Sequence, residues 1–165
     1  MQKVTYNNIY DILVSIAGNH RQINTFGFGS TWEMATSGTV NYPMLWVVDE
    51  GSTIKQGEVG FKYKLIMMDL VQKGKDDSVD VQSDTHQTLC DVIAKLRMGG
   101  YNFTLKREET INLETFEEKF DDEVTGWWGD LTLWVDYEYD SCKIPKITAS
   151  SSTTLLIDTF ALSLE

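Results

Sequence analysis

The sequence predicts an α+β fold: an antiparallel sheet with two amphipathic helices packed on one face, a long β-hairpin and a C-terminal arm. Three observations carry this. Ile9, Ile12, Leu13 and Ile16, and again Leu89, Val92, Ile93 and Leu96, recur at the spacing of one helix face. Val59, Phe61, Tyr63, Leu65 and Met67 alternate with other residues, as a strand requires. A second alternating stretch runs from Leu131 to Tyr139.

Taken in order, the first helix is expected from Asn7 or Asn8 to Ala17, with Gly18-Asn19 as its stop. Residues 23–38 read as irregular, with Thr31 to Met34 a short strand or turn. Val40 to Asp49 reads as a strand whose start is held at an edge by Pro43. Glu50-Gly51-Ser52 and Lys55-Gln56-Gly57 carry turn residues. Glu58 to Gln72 is a long strand, expected to pair with the previous one as an extended hairpin. Ser83-Asp84 is expected to cap a second helix over Thr85–Met98, closed by Gly99-Gly100. Tyr101 to Leu105 alternates as a strand. Ile111, Leu113, Phe116 and Phe120 fit either a strand pair or a short helix. Residues 1–146 are expected to form one domain, and 147–165 a linker with a strand-like arm over Leu155–Leu164.

Composition narrows the classes of function. A chain of 165 residues with 42% hydrophobic and 12% aromatic content can bury a core of its own. No apolar run approaches the ~20 residues of a membrane helix, and the first residues lack the apolar core of a secretion signal. Cys90 and Cys142 form no motif and are expected to be reduced. The net charge of −11 opposes wrapping of nucleic acid, because phosphate is held by Lys and Arg. Residues 108–123 alone hold eight acids against one base, Lys119. That run reads as a solvated face, or as a surface that repels an anion or meets a basic partner.

The chemical constellations are weak. Gly27-Phe28-Gly29-Ser30-Thr31 lacks the lysine of a phosphate loop. Asp76, Ser78, Asp80 and Asp84 miss the glycine and the final glutamate of a calcium loop. His20 and His86 have no set of zinc ligands around them. Cys90 and His86 are one helical turn apart, but a thiol beside an apolar stripe is usually inert. Acid pairs are plentiful, and none is singled out. Trp46, Trp127, Trp128 and Trp134 suit core or subunit-interface packing better than a sugar platform. Trp127 and Trp128 are adjacent, so on an extended strand they face opposite sides. No catalytic, metal or cofactor residues are therefore assigned.

The order of elements, the strand Tyr42-Pro43-Met44-Leu45-Trp46, the capped helix through Leu89-Cys90-Asp91-Val92-Ile93, and the string Asp121-Asp122-Glu123-Val124-Thr125-Gly126-Trp127 resemble neck and tail proteins of tailed bacteriophages, of the tail-terminator or tail-completion type. The likeness covers residues 5–145. It implies a non-enzymatic virion protein, made in the host cytoplasm. It also implies a ring that closes the tail tube or joins it to the head connector. The expected partners are copies of the chain and adjacent neck and tail proteins, with DNA only in transit and no membrane. On this reading Trp46, Trp127, Trp128, Trp134 and Leu156 are expected at subunit interfaces. Glu114, Glu117, Glu118, Asp121 and Asp122 are expected on an acidic lumen face. The alternatives are another connector or baseplate component, a carbohydrate-binding module built on the tryptophans, and a small hydrolase using unrecognised carboxylates.

Overall fold

The computed structural model describes residues 5–36, 40–72, 77–119 and 123–137, with Cys142 and Ile144. The expected arm, with Leu156, lies outside the described residues, as do Asp121 and Asp122. The elements are α1 (Tyr6–Gly18), β1 (Thr25–Phe28), α2 (Thr31–Thr36), β2 (Met44–Lys55), β3 (Glu58–Leu70), α3 (Ser78–Met98), β4 (Leu113–Lys119) and β5 (Glu123–Asp136). They make an α+β fold around one five-stranded sheet of order β1-β2-β3-β5-β4.

α1 starts where its sequence can satisfy the free N–H groups. The Asn8 N–H donates to Thr5 Oγ1, and the Thr5 N–H donates to Asn8 Oδ1, a reciprocal cap. Its inner stripe is Ile9, Leu13, Ile16 and Ala17. α3 lies on the same side of the sheet and contributes Leu89, Val92 and Leu96 to the same core as Leu45, Val47, Tyr63, Leu65, Met67 and Leu133. Burying each large side chain of this set contributes about 1.5–3 kcal/mol.

Thr31–Met34, expected as a short strand or turn, is part of the helix α2, and four further expectations are corrected. The sheet is mixed, because β1 runs parallel to β2. A four-residue strand is too short for a readable period, and the chain returns in the same direction only by crossing over through α2. Glu50-Gly51-Ser52 is a bulge inside β2, where the register with β3 shifts between Asp49 and Ser52 and Gly51 takes φ +92°. The hairpin turns at Gln56-Gly57, with Gly57 at φ +80°. α3 begins at Ser78, with Asp77 at the cap position and no side-chain cap bond. Ser83 and Asp84 lie within the helix, and the Thr85 and Thr88 hydroxyls donate back to the Val81 and Asp84 carbonyls. The apolar stripe that marked this helix starts late, so its exposed first turns were hidden.

The fourth correction concerns Tyr101–Leu105. This stretch touches the sheet at a single bridge, Thr104 with Trp134, with hydrogen bonds of 2.7 and 2.9 Å. β4 already occupies that edge of β5 from Glu123 to Gly129. Within the ambiguous 111–120 stretch, Leu113–Lys119 forms β4, a strand paired with β5. Cys90 and Cys142 are free thiols. No helix among the described residues is long and apolar enough to cross a membrane.

At the bulged end of the hairpin, the Tyr6 hydroxyl donates to Asp49 Oδ2 at 2.7 Å and the ring packs near Phe28, Phe61 and Tyr63. Burial, then the Asp49 bond, pushes the Tyr6 phenol up to about 12 from 10.0, and burial raises Tyr63 as well. Both phenols are held neutral by the fold, so their contribution is complete below pH 10 and is lost as pH climbs through the folded value. Thermal melts between pH 8 and 12 should show stability falling above pH 10. Tyr6→Phe should cost about 1 kcal/mol at neutral pH and flatten part of the alkaline decline. An identical decline in both proteins would refute the assignment.

Candidate functional site

The side of the sheet opposite α1 and α3 is the surface to consider. Strand alternation and register place Trp46, Trp128 and Trp134 there, and Trp127 on the helix side. Trp46 is 6% exposed, in a cluster with Met44, Ile66 and Met68 that Met34 and Phe116 flank. Its indole lies where a side chain on Gly27 would be, and its Nε1 donates to the Gly29 carbonyl at 3.3 Å. Gly27 of the apparent phosphate loop therefore makes room for a tryptophan, and Gly29 accepts its hydrogen bond.

Further along this face the indoles carry cations. Lys64 Nζ sits 4.3 Å from the Trp128 ring centroid, and also 3.2 Å from Glu50 and 3.6 Å from Asp130. Lys55 and Lys106 approach the Trp134 ring at 4.2 and 4.3 Å, and Lys106 is 2.7 Å from Glu58. Trp134 is 9% exposed. Each ring is thus covered by lysines of its own chain, contacts worth about 0.5–1 kcal/mol at exposed sites and more when desolvated. Sequence reasoning missed these lysines, although Lys64 stands between Tyr63 and Leu65 in plain view.

Of the expected interface residues, Trp46, Trp127 and Trp134 serve their own chain, and half-buried Trp128 faces a cleft. That cleft holds about 300 Å³ and is lined by Glu50, Lys62, Glu109, Glu114, Trp128 and Asp130 among others. Its chemistry suits a cation or a hydroxyl-rich ligand. Of the acids expected on one face, Glu114 enters the cleft opposite Trp128, whereas Glu117 is opposite Thr125 on the helix side. Glu118 pairs in register with Val124. Strand geometry splits what a helix would have gathered. Among the described residues no three His, Cys, Asp or Glu side chains gather as a metal site. Cys90 Sγ lies 3.8 Å from His86 Nδ1, but burial, then Asp91, raises the thiol, which disfavours the thiolate that a nucleophile requires.

The string Val124-Thr125-Gly126-Trp127 has a structural role. The buried Thr125 hydroxyl donates to the Phe116 carbonyl of β4 at 2.9 Å and accepts from Gln82 Nε2 of α3 at 3.0 Å. Trp127 Nε1 donates to the Gln82 carbonyl at 2.8 Å, and its ring meets His86 edge-on at 4.8 Å. Gly126 lies so close to β3 that an added Cβ would overlap the Met67 carbonyl oxygen. Three consecutive residues thus join β3, β4, β5 and α3.

Gly126→Ala should destabilise the protein by about 3 kcal/mol, or roughly 6–12 °C in Tm, because a backbone oxygen cannot rotate away. Gly18→Ala, with no atom within 4 Å of the new carbon, is the control and should leave Tm unchanged or higher. Equal melting of the two variants would contradict the close approach. The sequence matches no known family model and no curated protein.

Proposed function

We propose that this chain is a non-enzymatic structural subunit of the neck or tail of a tailed bacteriophage, assembling with copies of itself into a ring that closes the tail tube or joins it to the head connector. The observation that supports this best is the Asp121–Trp127 string. It is the most specific part of the resemblance, and its Thr125, Gly126 and Trp127 serve packing and not chemistry. The layout is compatible with the reading. Both helices that form the main core lie on one side of the sheet. β1 and β4 are its outermost strands among the described residues, and they differ in charge. Unlike edges suit head-to-tail contacts, which close into a ring when the rotation permits.

Sedimentation and negative-stain imaging of the full chain over a range of concentrations test this. The expected result is one closed ring at an integer multiple of 18.8 kDa. Open filaments, or monomer at every concentration, would count against it. On this reading the acids of β4 keep passing DNA from sticking. Glu114→Lys, on the side of the sheet away from the helices, should then leave assembly intact and create salt-sensitive retention of duplex DNA. No gain in retention would remove the acidic-lumen element.

A second reading, a carbohydrate-binding module, draws on the cleft beside Trp128. Trp46 and Trp134 lend it little, since a sugar needs an open ring face, and Lys64 already lies over one face of Trp128. Calorimetric binding of a glycan by a monomer, abolished in Trp128→Ala, would favour this reading over assembly.

A further inference from the structure

We infer that the cleft beside Trp128 receives a small organic cation, a primary ammonium or guanidinium group on an alkyl stem, anchored by Glu109 and Glu114. This goes beyond the ring reading and does not depend on it.

The cleft has two unlike walls. On the β3 side, Lys64 answers two of the lining carboxylates, with Glu50 at 3.2 Å and Asp130 at 3.6 Å from its ammonium. The same ammonium lies 4.3 Å from the Trp128 ring centroid. The chain thus seats one ammonium of its own among these carboxylates and this indole, which is direct evidence of the chemistry the place favours. On the β4 side, Glu114 stands across from Trp128, and Glu109 lines the same cleft. Neither of these two carboxylates is in an ion pair among the described residues. Arg97 comes close to Glu109, but it donates to the main-chain carbonyl, at 3.2 Å.

Lys62, the other cation of the lining, is badly placed to answer Glu114. It stands opposite Thr132 on one side of β5, whereas Glu114 stands opposite Trp128 on the other side. Four residues along β5 and two strand spacings across the sheet separate their Cα atoms by about 16 Å, beyond the joint reach of a lysine and a glutamate. One wall of the cleft is therefore compensated from within the chain, and the other is left with two acids.

The remaining features choose the ligand. A volume of about 300 Å³ admits a small molecule or a single side chain. The unanswered acids oppose an anion. A hard metal ion needs several converging oxygens, and no three such side chains gather among the described residues. A sugar needs an open ring face, and Lys64 lies over one face of Trp128. An alkyl stem needs less. The half-buried indole gives it an apolar wall while its charged head meets Glu109 and Glu114. A free amine and the lysine or arginine side chain of a partner protein present the same group.

Calorimetric titration of the full chain with agmatine, which carries both a guanidinium and a primary ammonium, tests the site at near-physiological salt. Saturable binding of one agmatine per chain is expected. Glu109→Gln and Glu114→Gln should each weaken it about fivefold. Glu117→Gln, on the helix side of the same strand, should leave it unchanged, which separates the cleft from a general attraction to acidic surface. The inference is overturned by a lack of saturable binding, by variants in the cleft that bind as wild type, by an equal loss in Glu117→Gln, or by equal affinity for uncharged N-butylurea. A blocked tripeptide with a central arginine decides the source. Affinity at or above that of agmatine assigns the cleft to a partner's side chain, and lower affinity assigns it to a free amine. A single chain carries the whole cleft, so a failed ring and a failed cation site are told apart.

Discussion

The close approach of β3 and β5 at Gly126 is the constraint on which the rest of this structure depends. These two long strands pair from Glu58–Asp136 to Leu70–Val124, and every other strand is placed from them. The contact leaves no room for a Cβ against the Met67 carbonyl. On either side of that glycine, Thr125 and Trp127 point to the helix layer and grip Gln82. A missing side chain thus brings the strands together, and its neighbours orient α3 on them. Buried polar atoms are tolerable there because each donor and acceptor at this junction has a partner.

The two sides of the sheet solve different problems. The helix side is a continuous apolar core from Ile9 to Val135. The other side has a small apolar cluster around Trp46, then a polar field in which lysines lie on indoles and acids hold the lysines. Lysine stems cover apolar surface while their ammonium groups remain in contact with water. Aromatic content on this side therefore does not imply an open interface. A tryptophan needs cover, and here much of that cover comes from within the chain.

Charge is distributed with the same economy. The acidic excess concentrates in and beside β4 at one sheet edge, while β1 at the other edge has none. Two unlike edges on one subunit disfavour pairing of like with like at β4. That asymmetry is a property of the molecule whatever its biological setting.

Periodicity alone determined the α+β class, the inner stripes of α1 and α3, and the strand character of β3 and of β5 from Leu131 onward, because burial imposes a repeat of 3.6 or 2 on any element with one covered face. It also required that Trp127 and Trp128 part to opposite sides. Other features were decided only by the assembled tertiary structure. Thr25–Phe28 became a parallel strand because β2 was beside it, Glu50-Gly51-Ser52 became a bulge because β3 continued past it, and Leu113–Lys119 became a strand because β5 had an open edge. The cation contacts over Trp128 and Trp134, and the division of Glu114 from Glu117, follow from cross-strand register. Register joins residues dozens of positions apart, and no local window of sequence contains it.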